Sequence, residues 1–228
     1  MAKNASSKYV LYAIGEIALV VVGILIALQI DTWNTENQRD QIERKILEQL
    51  GTSLAEDLVV FEKSSNAVHR TFNRVSRLQV LLESGERTDS LSILCGAVYG
   101  ILRYQFNTAA YEELKSRGFE LISNDVMRQL VIKVYDNHLK AVEHRNNIED
   151  NVILEAMRPY YLENFKKIRF LQSAEPRDEN KIYEDDYYHN LVDYRLTVLR
   201  NLYLNPNGEI LSDMKNLIEM IDVKLSST

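Results

Sequence analysis

The sequence of 228 residues is poor in cysteine, proline and glycine, with one, three and eight of them respectively. The single cysteine, Cys95, excludes a disulfide within the chain and any multi-cysteine zinc or iron–sulfur site. So few prolines and glycines exclude a collagen-like chain and argue against an all-β fold, which needs many turns. The chain also lacks an excess of basic residues. Its formal net charge of −6 argues against a nucleic-acid partner, because such proteins normally carry a basic face.

Sequence signatures of catalysis are missing as well. The chain has no glycine-rich phosphate loop, no Gly-x-Ser-x-Gly elbow and no His-Glu-x-x-His zinc motif. None of its four histidines belongs to such a motif: His69, His138, His144 and His189. The acids Glu184, Asp185 and Asp186 precede His189, so a metal site is conceivable. Acids at a helix N-terminus beside a surface histidine explain the same residues. We therefore expect no enzyme activity, no metal and no cofactor.

The longest apolar run extends from Val10 to Ile30, VLYAIGEIALVVVGILIALQI. At helical rise this run covers roughly 30 Å, the thickness of the hydrocarbon core of a bilayer. Tyr9 and Trp33 flank it, and aromatic residues are typical of the two membrane interfaces. A buried core helix or a cleaved signal peptide would be the alternatives. The signal peptide would have a shorter apolar region and a small-residue cleavage site, which is not found here.

The chain is thus predicted to begin with an anchor in the lipid bilayer. The predicted parts are a tail over residues 1–9, a transmembrane helix over residues 10–30 and a helical bundle domain over residues 31–228. The tail carries Lys3 and Lys8 and no acid, which favours a cytoplasmic N-terminus. We expect a single-pass protein of the bacterial plasma membrane with its helical domain on the extracytoplasmic, periplasmic side.

Glu16 is the one charged residue within the apolar run. It lies roughly 9 Å inside the run at helical rise, where a charge is costly. Val20, Gly23 and Ala27 fall on the same helical stripe, and the spacing of Gly23 and Ala27 allows another helix backbone to approach closely. Three interpretations remain open for Glu16: proton or cation handling, assembly through a hydrogen bond between helices, and snorkelling towards the head groups.

A heptad pattern follows the apolar run and predicts a long amphipathic helix over residues 35–83. Six apolar residues recur every seven positions: Leu47, Leu54, Phe61, Val68, Val75 and Leu82. Such a stripe fits either the core of an intramolecular bundle or a seam between two chains. Ser84 and Gly85 are predicted to end the helix, because glycine tolerates the left-handed conformation there.

The remaining sequence predicts an all-α bundle of about five or six helices. Further helices are expected over residues 89–104, 108–117 and 126–157, with Pro159 bending or restarting the last of them. Gln172 to Lys181 is expected to be a polar linker, and Asn205 to Gly208 a turn between two final helices. Cys95 is interpreted as a small core residue. The many tyrosines fit the edge of a core or a ligand surface.

Three strings of the chain carry a resemblance to known proteins. The string KYVLYAIGEIALVVVGILIALQIDTWN resembles the opening of an uncharacterised family of single-pass, membrane-anchored helical proteins common in Bacteroidetes-type bacteria. The strings AAYEELKSRGFELISNDVMRQLV and NLIEMIDVKL are similar to later parts of its pattern. The most specific positions are Gly15, Glu16, Gly23, Gln29, Trp33 and Asn34. The resemblance implies an N-terminal anchor and a helical domain, and no known activity.

The function that these features favour is non-catalytic. We expect a membrane-anchored helical protein that associates with itself or with an integral membrane partner, as a scaffold or accessory subunit, through Glu16, Gly23 and Ala27. The alternative is a homo-oligomer in which several Glu16 side chains form a path for ions or protons, as in a channel or a stator-like subunit.

Overall fold

A computed structural model describes the backbone of residues 3–227 and the side chains of residues 15–227. The first helix, α1, is Lys3–Ser84, an uninterrupted element of 82 residues. It covers both the predicted membrane segment and the heptad stretch. Gly85 follows with a φ of 70°, a left-handed conformation that costs glycine little. The predicted end of the helix is therefore confirmed.

The chain forms two compact units, Met1–Leu47 and Glu48–Thr228. In the first unit every side chain from Gly15 to Ile42 is exposed. This stretch includes an 18-residue window with a mean hydropathy of 1.9 and no buried residue. By length and composition, α1 is the one helix among the described residues that is apolar enough to cross a membrane.

The heptad positions of α1 have the opposite environment. All six are at most 5% exposed in a single chain: Leu47, Leu54, Phe61, Val68, Val75 and Leu82. Phe61 is enclosed by aromatic rings, with centroids 4.7 Å from that of Tyr104 and 5.7 Å from that of Phe106. The stripe therefore lies in the core of this chain, in agreement with the intramolecular interpretation.

The segment after α1 is less helical than predicted. Helix α2 is Leu91–Val98, and residues 99–107 are irregular instead of helical. In this stretch the carbonyl of Gly100 and the N–H of Leu102 bond to side chains from distant helices. These bonds replace the helical ones, so the prediction of a helix to residue 104 was wrong. Helix α3, Ala109–Arg117, ends as predicted at Gly118, whose φ is 101°.

Residues 125–164 form one long helical run that Pro159 does not end. It consists of α4 (Asp125–Ile132), α5 (Lys140–Val152) and α6 (Arg158–Asn164). Asn124 caps it as predicted, because its side chain accepts a hydrogen bond from the N–H of Met127 at 3.0 Å. Two π-helical turns, Lys133–Leu139 and Ile153–Met157, join the three helices. The second turn precedes Pro159, which occupies the first turn of α6, where a missing N–H costs nothing.

A β-hairpin follows α6, and its second strand lies in the segment that we predicted to be a polar linker, residues 172–181. Strand β1 is Phe165–Arg169 and strand β2 is Ser173–Pro176, paired antiparallel with Phe165 opposite Pro176. A Cβ atom on Gly96 of α2 would lie 2.3 Å from the backbone of Ser173. Only glycine therefore allows this approach of helix and strand. The all-α prediction is confirmed apart from this small sheet.

The final helices are α7 (Glu179–Glu184), α8 (Asp186–Val198) and α9 (Asn205–Ser226). A π-helical turn, Leu199–Leu204, joins α8 to α9 directly, so the predicted turn at residues 205–208 was wrong. Pro206 sits in the first turn of α9 and cannot donate to the carbonyl of Leu202. The guanidinium of Arg145 donates to that carbonyl instead, at 2.8 Å.

Candidate functional site

The residues predicted to form the membrane face lie on one exposed stripe of α1. Glu16, Val20, Gly23 and Ala27 fall within about 60° of the helix circumference, and all four are exposed. A Cβ atom on Gly23 would meet nothing within 4 Å. Among the side chains from Gly15 to Ser227, none forms a hydrogen bond or ion pair with Glu16. The stripe therefore leaves room for a second helix, and its carboxyl group has no partner in the described part of the chain.

The two predicted interface anchors are also on α1. Trp33 is 66% exposed. Tyr9 belongs to the helix, but its side chain lies outside the part that the structure describes.

The helical domain contains a buried ion pair that sequence reasoning missed. The guanidinium Nη1 of Arg195 in α8 lies 2.7 Å from Oε1 of Glu149 in α5, and both side chains are 0% exposed. A buried charge is stable only when it is paired and hydrogen-bonded. The two residues are 46 positions apart, so the pair ties α5 to α8 in the centre of the bundle.

Further donors and acceptors bond to this ion pair, and Nε of Arg195 is left without a hydrogen bond in the described part of the chain. The N–H of Leu102 donates to Glu149 at 3.3 Å, and the hydroxyl of Tyr203 donates to the other carboxylate oxygen. Nη2 of Arg195 donates to the carbonyl of Gly100 at 3.0 Å. Burial raises the pKa of the Glu149 carboxyl, and the charge and hydrogen bond of Arg195 oppose that rise.

The side chain of Asn207 extends the polar network towards α1. Nδ2 of Asn207 donates to the hydroxyls of Ser65 at 3.2 Å and Tyr104 at 3.1 Å. Nη1 of Arg145 lies 3.4 Å from Oδ1 of Asn207. Burial lowers the pKa of Arg145, and Tyr104 opposes this. Polar contacts thus connect α1, α5 and α9 in the core, which points to a structural role in fixing how the helices align.

A sequence signal for this network did exist. Val142, Arg145, Glu149 and Ile153 follow one another at steps of three and four, and all four are buried. The two charged residues, Arg145 and Glu149, therefore lie on the same helix face as the apolar residues Val142 and Ile153. Charged residues on the apolar face of a helix indicate a buried polar pair. The spacing does not identify the partner on α8.

Another cluster brings together three possible metal ligands. Nε2 of His138 lies 2.7 Å from Oδ2 of Asp213, and the donor atoms of these two residues and Glu209 lie within 4.8 Å of one another. The ammonium of Lys133, however, is 2.7 Å from Asp213 and 2.8 Å from Glu209. The lysine thus already pairs with both acids, as in a surface ion-pair cluster.

The acids around residue 185, considered above for a metal, have structural contacts instead. The side chain of Asp185 caps α8 by accepting from the N–H of Tyr187, and it also accepts from the hydroxyl of Tyr160 at 2.8 Å. His189 Nε2 lies 3.1 Å from the carbonyl oxygen of Tyr183. These contacts fit the interpretation of a capped helix N-terminus beside a histidine.

Cys95 and several tyrosines form part of the core. Cys95 is 0% exposed, and burial raises the pKa of its thiol to about 12. Its carbonyl accepts from the hydroxyl of Tyr161 at 2.7 Å, and the Tyr161 ring stacks on Phe165 at 4.4 Å and on Tyr99 at 4.6 Å. A protonated, enclosed thiol is a poor nucleophile, which agrees with the interpretation of Cys95 as a core residue.

A family model, described as a family of unknown function (DUF6090), matches residues 16–156. The chain belongs to this family. The DUF6090 match begins at Glu16 and includes the stripe of α1 and Glu149, and it ends before Arg195. No curated protein and no solved structure matches the chain. Membership in DUF6090 supports the predicted resemblance to an uncharacterised family and assigns no activity.

Proposed function

We propose that the protein is a single-pass membrane protein that associates through one face of its N-terminal helix and has no catalytic activity. The partner is another copy of the chain or an integral membrane protein. The observation that carries this proposal is the exposed apolar window of α1, which is long enough to span a bilayer and has no buried residue. Exposed apolar surface of this length favours lipid over water, at about 25 cal/mol for each Å².

The proposed contact face contains Glu16 and the small residues Gly23 and Ala27. A carboxyl group in hydrocarbon needs a hydrogen-bond partner, and the described part of the chain supplies none to Glu16. The open space around Gly23 allows a second backbone to come close, so that packing and an interhelical hydrogen bond act at the same place.

The first experiment measures the mass of the full chain purified in nanodiscs. We expect an assembly larger than one chain, and we expect Gly23→Ile to reduce it to single chains because the added side chain separates the helices. Ala18→Ile is the matched control: it places the same side chain about 140° away from Gly23, and Ala18 is also exposed. Equal masses for wild type and both variants would contradict self-association through this face.

A second experiment detects association with a different membrane protein. A photo-crosslinking amino acid is placed at Val20 or at Leu25, which lies on the opposite face of α1. Cells are illuminated, and adducts of the chain are identified by mass spectrometry. We expect adducts from position 20 that Glu16→Gln weakens, and few from position 25. Equal adducts from both positions, or none, would contradict a specific contact face.

We further place the chain in the bacterial plasma membrane with its N-terminus in the cytoplasm and its helical domain outside. Cys95 is the only cysteine and is buried, so the unaltered chain is a background control for thiol labelling. Val126→Cys introduces a thiol at a position that is 68% exposed. A membrane-impermeant maleimide should label this variant in intact spheroplasts. Labelling only after lysis would show the opposite orientation.

A further inference from the structure

An apolar cleft opens on the surface of the helical domain. Its volume is about 450 Å³, within the range of roughly 300–1,000 Å³ that is typical of small-molecule sites. The lining comes from the irregular segment after α2, the second π-helical turn, α6 and the hairpin: Tyr99, Gly100, Ile101, Ile153, Leu154, Arg158, Leu162 and Phe170. No acidic residue belongs to this lining.

The apolar side chains of the cleft are unusually exposed. Leu154 is 50%, Leu162 59% and Phe170 63% exposed. These three side chains face one cleft, and a contiguous apolar patch of this kind typically marks a binding surface.

Two polar groups in the cleft have no partner among residues 15–227. Arg158 forms no hydrogen bond or ion pair with any side chain of residues 15–227, and neither does the hydroxyl of Tyr99. The two residues line the same cleft. Burial raises the pKa of the Tyr99 phenol, and the positive charge of Arg158 opposes that rise. An arginine and a phenolic hydroxyl are both donors to a carboxylate. The cleft therefore combines an apolar wall with a site for one anionic group.

The backbone around the cleft has local features of its own. The wall contains the π-helical turn Ile153–Met157, and such turns occur frequently at functional sites. Phe170 precedes Leu171, whose φ is 57°, an uncommon conformation for a residue with a branched side chain. A Cβ atom on Gly100 would lie 2.5 Å from the side chain of Leu171, so glycine is needed for this turn to close against the cleft.

We propose that this cleft binds a free long-chain fatty acid, with the acyl chain against Leu154, Leu162 and Phe170 and the carboxylate on Arg158 and the Tyr99 hydroxyl. A fatty acid matches both features at once, because one molecule supplies a hydrocarbon chain and a single negative charge. The cleft lies entirely within the helical domain, so the proposal does not depend on association through α1.

The test uses the full chain in nanodiscs of zwitterionic phosphatidylcholine and a 16-carbon fatty acid that carries a diazirine on its chain. After illumination, mass spectrometry identifies the labelled residues. We expect labels on the residues that line the cleft. Excess palmitic acid should suppress the labelling, and hexadecanol at the same concentration should not, since it has the same chain without the charge.

Variants make the test specific. Arg158→Met should reduce labelling of the cleft about tenfold, the size expected from loss of one charge-assisted hydrogen bond. Arg77→Met is the control, because Arg77 is exposed and lies outside the cleft. Leu154→Asp should abolish labelling, because it places a negative charge in the apolar wall of the cleft. Val223→Asp, at an exposed position on α9, should leave labelling unchanged. Unfolding midpoints of all variants are compared so that loss of folding is recognised.

Three results would overturn the proposal. Labels confined to α1 would show that the probe resides only in the lipid. Equal suppression by palmitic acid and hexadecanol would show an apolar surface without recognition of the carboxylate. Unchanged labelling of a folded Arg158→Met variant would exclude the assigned role of the arginine.

Discussion

The exposed N-terminal stretch of α1 and the helical domain place the same kinds of residue in opposite environments. Leu25 is 59% exposed, and Phe61 on the same helix is 1% exposed. The glutamates differ in the same sense: Glu149 is 0% exposed with an arginine at 2.7 Å, and Glu16 has no partner among residues 15–227. The core residues Phe61 and Glu149 thus find their apolar and charged partners within the chain. The exposed stretch of α1 has no such partners in the described part of the chain.

The largest expected effect is a loss of stability in the helical domain when its buried ion pair is broken. Arg195→Met leaves the Glu149 carboxylate buried without its cation, and we expect the free energy of unfolding to fall by about 4 kcal/mol. Denaturant unfolding of the full chain in nanodiscs, followed by circular dichroism, measures it. The double variant Glu149→Leu with Arg195→Met should recover most of the loss, because an apolar pair leaves no charge unpaired. A loss below about 1 kcal/mol for the single variant would show that the ion pair is unimportant for stability.

The next prediction compares the two ends of α1 directly. Phe61→Ala removes a ring packed against Tyr104 and Phe106, and we expect a loss of about 3 kcal/mol in the same unfolding measurement. Leu25→Ala removes an exposed side chain and should leave the unfolding of the helical domain unchanged. If Leu25→Ala were as destabilising as Phe61→Ala, the exposed stretch would contribute to the same core and the comparison would fail.

A smaller effect is expected where helix α2 approaches the hairpin. Gly96→Ala places a Cβ atom 2.3 Å from the Ser173 backbone, and we expect a loss of about 2 kcal/mol. Gly208→Ala is the matched control, because a Cβ atom there meets nothing within 4 Å and the residue lies in helix α9. That variant should gain up to about 1 kcal/mol from helix propensity. Losses of equal size in both variants would contradict the close approach at Gly96.

Local signals predicted much of the fold. The heptad stripe of α1, its end at Gly85, the end of α3 at Gly118 and the cap at Asn124 each depend on residues within one or two helical turns. The predicted membrane stripe is likewise a matter of spacing along one helix. For the helix ends and the cap the sequence neighbourhood contains the interacting groups, so the pattern and the structure agree. Association through the membrane stripe stays a prediction.

Contacts between distant segments account for what was missed. The position of the hairpin over residues 165–176 depends on Gly96, about eighty residues earlier. Pro159 and Pro206 indicated breaks, but each follows a π-helical turn that lets the helix continue. The Glu149–Arg195 pair joins two helices, and neither residue identifies the other by spacing. Helix propensity describes how much a residue destabilises a helix locally. Tertiary contacts decide whether the helix forms in spite of it.

The smallest expected effect concerns a carboxylate at the surface of the helical domain. Burial would raise the pKa of Asp213, but hydrogen bonds from His138 and Lys133 together outweigh it and lower the pKa below the ordinary value of 3.8. A carboxyl whose pKa is lower in the folded state adds stability above its ordinary pKa, and this contribution is lost as the pH falls through the folded value. Asp213→Asn should therefore cost about 1 kcal/mol at pH 7, and the difference from wild type should shrink as the pH falls below 4.

Unfolding of both chains at several pH values between 7 and 3 measures this difference. Asp222→Asn is the control, because Asp222 is exposed on α9 and has no hydrogen bond to another residue in the described part of the chain. Its stability should follow wild type at every pH. A constant gap between Asp213→Asn and wild type over the whole range would mean that the loss comes from packing. In that case the ion-pair cluster around Lys133 would not make the helical domain's stability depend on pH through Asp213.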